Sequence, residues 1–177
     1  MRVYQRLTRT GTHTQKGVVV GRHMELNGVV SSGLGRAHVF MAQPHYQDQF
    51  RELLGQTAWP GTLNVKVDEA MLSHYIALRQ RAGIDTLDAP DRAREAAQNH
   101  DVEAYNLVRI RGFLRDGVSF GGATAFKATI HREGNTVPCA VLIPDLTRHV
   151  DVIEIISTAF LREVLHLHDG DTVALSL

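Results

Sequence analysis

The run Trp59-Pro60-Gly61-Thr62-Leu63-Asn64-Val65 carries the side chains whose spacing points most directly to chemistry. Pro60 and Gly61 force a turn, and a β-run then opens with Thr62 and Asn64 at alternate positions. Alternation puts both side-chain oxygens on one face of a strand. Neutral oxygen ligands of this kind suit a hard cation such as Mg2+, which keeps several waters and binds through few protein groups plus substrate phosphates. The same residues also fit a plain turn followed by a strand that tolerates polar side chains.

Four other segments could contribute. Gly33-Leu34-Gly35-Arg36-Ala37-His38 lies between two β-like runs. Glycines there let backbone N–H groups turn toward an anion, and Arg36 or His38 could add charge to a phosphate. The segment lacks both GxGxxG and the Walker pattern, so an ordinary glycine-containing connection is the alternative. Glu154 stands inside the apolar run Val152-Ile153-Glu154-Ile155-Ile156, with Thr147 upstream after Pro144-Asp145-Leu146. A buried carboxylate needs a partner: either an arginine such as Arg148 or Arg162, or a hydroxyl-bearing ligand. Ala159-Phe160-Leu161-Arg162 opens a short helix, and Arg162 could meet a phosphate, pair with Asp169, or stay solvated. His166-Leu167-His168-Asp169-Gly170-Asp171 reads as a helix-exit turn, because nothing marks the third fixed ligand a zinc site requires. His149 is a further candidate for a ligand contact, and Cys139 reads as a small core residue.

The elements that must position these residues are mostly strands. Met24–Val30, His38–Met41, Gly61–Val67, Tyr105–Leu114, Gly121–His131, Thr136–Ile143, Val150–Ile156 and Thr172–Leu177 read as β. Asp116-Gly117 and Glu133-Gly134-Asn135 are hairpin turns. Tyr46, Phe50, Leu53 and Leu54 recur at helical spacing, with Pro44 at the start and Gly55 as C-terminal cap. Ala70–Arg81 and Pro90–Asn99 read as further helices, and Arg79, Arg81, Arg92 and Arg94 as solvated helix faces. Ser157 or Thr158 is placed to cap a short helix running to Leu165. Several short strands joined by tight turns suggest a small closed barrel.

Composition narrows the function classes. The 177 residues suit one domain, and 44% hydrophobic against 21% charged residues is an ordinary globular balance. With 19 basic and 19 acidic side chains, no global attraction to nucleic acid or to an anionic membrane is implied. The single cysteine excludes an intrachain disulfide and a cysteine-rich zinc site. No apolar run approaches the roughly 18–20 residues of a membrane helix, and the polar, Thr/Arg-rich start does not read as a secretory signal. A cytoplasmic protein is expected.

In order along the chain, Gly33-Leu34-Gly35, the Pro60–Asn64 run, Ile153-Glu154-Ile155-Ile156, Leu161-Arg162-Glu163 and Asp169-Gly170-Asp171 resemble the archaeal-type CTP-dependent riboflavin kinase family. The resemblance spans about Met24 to Leu177. It implies a mainly β fold with α insertions, built on a small closed six-stranded cradle-loop barrel. Residues 1–23 then read as an N-terminal extension, with Met24 as a possible natural start, and residues 68–103 as a helical insertion in a single domain, 24–177. The implied reaction is phosphorylation of riboflavin at its 5′-hydroxyl to FMN, with CTP as donor, CDP as by-product and Mg2+ as cofactor. The resemblance implies Thr62 and Asn64 as metal ligands and Thr147 and Glu154 as flavin contacts. It implies nucleotide contacts at Leu34, Gly35, Arg36, Ala37, His38 and Val39, and at Ala159, Phe160, Leu161 and Arg162. Catalytic proton acceptance by Glu154 is our expectation for the mechanism. Family loops continue with an acidic or glycine residue and then aromatics, whereas this chain has Arg36-Ala37-His38-Val39. Three rival readings follow: a kinase with altered donor or acceptor, a non-catalytic flavin- or nucleotide-binding module on the same barrel, and a structural interaction domain whose inserted helices dock a partner.

Overall fold

The computed structural model describes residues 23–177. All but one residue of the expected N-terminal extension therefore lie outside the described residues. Nine strands and five helices follow in the order β1 (Glu25–Ser31), α1 (Ala37–Met41), α2 (Pro44–Leu54), β2 (Leu63–Val67), α3 (Leu72–Arg81), α4 (Asp91–Ala97), β3 (Leu107–Ile110), β4 (Phe113–Arg115), β5 (Val118–Phe120), β6 (Ala123–Arg132), β7 (Asn135–Pro144), β8 (Val152–Ile156), α5 (Leu161–Val164) and β9 (Thr172–Ser176). A short 3-10 turn, Glu69–Met71, leads into α3.

The main sheet runs β3-β6-β7-β8-β2-β1-β9, and β9 also pairs with β6. That last pairing closes six antiparallel strands into a barrel and leaves β3 as an outer strand on β6. Closure removes the exposed edges an open sheet of this size would present. The barrel interior is filled by alternate residues, among them Leu26, Val65, Phe126, Ile130, Val141, Ile153, Ile155 and Leu175. Tyr75 and Leu78 of α3 join the same core, so the helical segment plugs the barrel rather than merely decorating it. The Tyr75 hydroxyl donates to the Val152 carbonyl oxygen at 3.0 Å.

A second core lies outside the barrel wall. There Tyr46, Phe50 and Leu53 of α2 pack on Ala125, Ala140, Leu142 and Ile156. The spacing of these α2 residues puts one stripe of the helix on the sheet. Pro44 stands at the first turn and Gly55, at φ 83°, ends the helix, as expected from sequence.

Several expectations need correction. His38–Met41 is part of α1, not a strand. The glycine-rich loop is therefore followed by a helical turn, and the β-like composition of Val39 and Phe40 is overridden by packing, with the Phe40 ring 6.0 Å edge-on from Phe120. The expected strand Tyr105–Leu114 breaks into β3 and β4. A Cβ at Gly112 would lie 2.3 Å from the Phe120 carbonyl oxygen, a backbone approach only glycine permits. The short helix α5 begins at Leu161, and neither Ser157 nor Thr158 caps it. Ser157 Oγ instead accepts from the Ala159 N–H and donates to the Pro138 carbonyl. Arg79 is not on a solvated face: it is 1% exposed, bonded to Asp88 and to the Asp85 carbonyl.

Candidate active site

The strand register sets the site. Ser31, Asn64, Glu154 and Leu142 stand opposite one another in a row across β1, β2, β8 and β7. Residues directly opposed in antiparallel strands share a face, and this row lies outside the barrel core that holds Ile153 and Ile155. Thr62, two residues before Asn64, extends it.

Two spaces meet at this row. One is an apolar cavity of about 450 Å³, walled by Phe40, Met41, Tyr46, Phe50, Ile110 and Leu142. The other is a cleft of about 830 Å³ with more polar side chains, lined by the loop of residues 31–38 and by Trp59–Thr62, Asn64, His149, Glu154 and Arg162. Thr62 and Glu154 are the polar residues that line both. Beyond the cleft, a recess of about 80 Å³ is formed by Trp59, Ser157, Ala159, Phe160, Leu161 and Arg162. Trp59 and Phe160 stack there with ring centroids 4.8 Å apart.

Burial pushes the Glu154 carboxyl above the usual glutamate range, and the charge of His149 pulls it partly back. No salt bridge joins Glu154 to Arg148 or Arg162 among the described residues; Arg162 pairs with Asp169 instead. Glu154 is thus a half-buried carboxyl group where the two spaces join.

Thr62 Oγ1 donates to Asn64 Oδ1 at 3.3 Å. Adjacent ligands of an octahedral Mg2+, each about 2.0–2.1 Å from the ion, stand roughly 2.9 Å apart, so the pair fits such an ion with a shift of a few tenths of an ångström. Among the described residues no group of three or more His, Cys, Asp and Glu is placed to hold a metal. Thr62 and Asn64 together offer two neutral oxygens, a sparse pair of the kind that leaves positions on a cation for water and phosphate. A Cβ at Gly33 would fall 2.5 Å from Asn64 Nδ2, so the glycine-rich loop rests directly on this side chain.

The structure brings most of the sequence candidates together. Leu34, Gly35, Arg36, Ala37 and His38 line the cleft, and His38 Nδ1 lies 3.0 Å from the Gly35 carbonyl oxygen. Arg162 lines both cleft and recess. Val39 is exposed and lines neither space. Thr147 sits in the turn after β7, where its hydroxyl accepts from the His149 N–H at 3.3 Å, and it lines neither cavity. Its neighbours Leu146 and His149 do. Asp145, at the root of that turn, is gripped by Arg109 of β3.

Sequence reasoning missed the apolar cavity. Tyr46 and Phe50 read as ordinary helix core, and only tertiary packing shows that they also wall a void. The Tyr46 hydroxyl donates to the Gly121 carbonyl oxygen, which fixes the ring at the cavity edge.

A family model for CTP-dependent riboflavin kinase, described as domain of unknown function DUF120, matches residues 30–97 and 86–177. The chain belongs to the CTP-dependent riboflavin kinase family. It is 34% identical over 160 residues to a riboflavin kinase of Thermoplasma acidophilum, covering 90% of this chain and 60% of the relative. It is 34% identical over 175 residues to one of Thermofilum pendens, covering 97% and 63%, and 35% over 155 residues to one of Pyrobaculum aerophilum, covering 87% and 60%. The chain thus spans about six-tenths of the length of these riboflavin kinases. The closed six-stranded barrel agrees with the fold expected of the family. Among the described residues no helix is long and apolar enough to cross a membrane.

Proposed function

We propose that this chain phosphorylates riboflavin at the 5′-hydroxyl to give FMN, taking the terminal phosphoryl of CTP. The observation that carries the reading is the junction itself: Thr62 and Glu154 line both an apolar cavity and a polar cleft. A flavin ring is flat with broad aromatic faces, a nucleoside triphosphate is polar and charged, and their reacting atoms must meet where the two spaces join. Family membership supports the choice of substrates.

The chain's residues divide the work. The aromatic wall of Phe40, Tyr46 and Phe50 excludes water from the ring and leaves its ribityl chain pointing toward Glu154. Glu154 orients the terminal hydroxyl and takes up its proton as the new O–P bond forms and the bond from the terminal phosphorus to the bridging oxygen breaks, releasing CDP. The loop of residues 33–38 and Arg162 hold the nucleotide phosphates in the cleft. Thr62 and Asn64 would hold Mg2+, which when bound neutralises charge on the donor phosphates. Because phosphoryl transfer needs little covalent help, positioning supplies most of the rate.

Riboflavin fluorescence tests the reading. Titration with the protein is expected to quench flavin emission as the ring enters the cavity, and added MgCTP to convert the bound flavin to FMN. Absence of both quenching and FMN would contradict it. FMN formed from a donor other than CTP would keep the reaction and tie Arg36-Ala37-His38-Val39 to a changed donor preference.

A further inference from the structure

Arg162 and the glycine-rich loop both line the cleft, and they are joined to one another through the turn that follows α5. Arg162 Nη2 donates to Asp169 Oδ1 at 2.7 Å and to the Ser31 carbonyl oxygen at 3.2 Å. Ser32 Oγ donates to the other Asp169 oxygen, Oδ2, at 2.5 Å. Among the described residues both Arg162 bonds leave from one nitrogen, Nη2, and Arg162 lines the cleft, so the remaining donors of the fork can serve a ligand there. An aspartate that competed with a phosphate would instead occupy the face of the fork.

Backbone bonds fix where Asp169 stands. Leu167 N–H donates to the Arg162 carbonyl at 2.8 Å, with His166 at φ 49°, a turn-back that closes α5. Gly170 N–H then donates to the Val30 carbonyl at 2.9 Å, and Val30 N–H to the Asp171 carbonyl at 2.8 Å. The turn of residues 166–171 is thereby laced to the end of β1, where the glycine-rich loop begins. The two hydrogen bonds, from Ser32 first and then Arg162, hold the Asp169 carboxyl below its usual range, so it is ionised at neutral pH. The Arg162 and Asp169 side chains are 30% and 51% exposed. Ion pairs that open contribute little to folding, which leaves orientation as the consequence of this one.

We propose that Asp169 is a positioning residue that binds Arg162 and the Ser31–Arg36 loop into one rigid phosphate grip. The inference rests on reading the cleft as the nucleotide site. Asp169 touches no reacting atom; it sets the aim of Arg162 and the root of the loop together.

The test uses Asp169→Asn and Ser32→Ala beside the unaltered protein, with MgCDP as probe. Trp59, the sole tryptophan, lines the cleft and reports binding by its fluorescence. Asp169→Asn is expected to weaken MgCDP binding about tenfold or more. The melting temperature and the KM for riboflavin should stay near those of the parent, and Ser32→Ala should show a smaller loss. Hydrogen exchange at residues 32–36 without ligand should quicken in both variants. Unchanged MgCDP affinity, or unchanged exchange in the loop, overturns the proposal. If the parent protein makes no FMN but Asp169→Asn still loosens the loop and weakens MgCDP binding, the kinase reading fails and the grip stands.

Discussion

Asn64 on β2 and Glu154 on β8 are register partners on the outer face of the barrel wall. A side chain suited to a metal and its phosphates thus stands directly beside one suited to an alcohol. This adjacency is what a phosphoryl transfer requires, since donor and acceptor must approach within about 3–3.5 Å.

If Glu154 receives the proton of the attacking hydroxyl, Glu154→Gln should lower kcat on the order of a hundredfold or more, with MgCDP affinity little changed. The parent's activity should fall on the acid side as Glu154 becomes protonated. Because burial raises this carboxyl, that fall should begin above the ordinary glutamate range. Rate profiles against pH for parent and variant check both points. An acid limb that persists in Glu154→Gln would assign it to another group.

Much of the candidate site's arrangement was legible in the chain because its residues are local in sequence. Thr62 and Asn64 sit two apart on one strand, and alternation alone places them together. The Glu133-Gly134 turn, with φ values of 48° and 81°, was equally local. The apolar cavity was not legible, because its wall draws on α1, α2, β3, β6 and β7, and nothing in Tyr46 or Phe50 distinguishes a cavity wall from a filled core. The partner of Arg162 was open for the same reason: Asp169 and a phosphate offer it the same charge. Arg79 was misread because a buried guanidinium looks like any helix arginine until its carboxylate, Asp88, is folded against it.

If Thr62 and Asn64 hold the metal, Asn64→Ala removes one of its two side-chain oxygens. About ten times more Mg2+ should be needed for half-maximal activity, while flavin quenching by the protein is unchanged. Activity measured against Mg2+ concentration gives the shift directly. An identical Mg2+ dependence would remove Asn64 from the metal site.

Gly33 tests the contact between loop and strand. In Gly33→Ala the new methyl must displace the Asn64 amide, which lies 2.5 Å from the built Cβ. Displacements of that size near reacting groups lower kcat/KM on the order of ten- to a hundredfold. Gly33 is exposed, so the melting temperature should hardly move. Steady-state kinetics with MgCTP, beside a thermal melt, separates the two effects.

The helical segment that plugs the barrel depends on a different pair. Asp88→Ala leaves the Arg79 guanidinium buried with its Asp85 carbonyl contact alone. Since Asp88 is itself 44% exposed, the loss is expected at about 2 kcal/mol, below the range for a fully buried pair. That corresponds to a fall of about 5 °C in melting temperature for a domain of this size. A calorimetric scan checks it.

The central claim is the reaction. The most direct measurement incubates the protein with riboflavin, Mg2+ and each of CTP, ATP, GTP and UTP in parallel, and separates the flavins by chromatography. The account predicts FMN with CTP, abolished by chelating the metal. Folded protein that binds riboflavin yet yields no FMN with any of the four donors would contradict it.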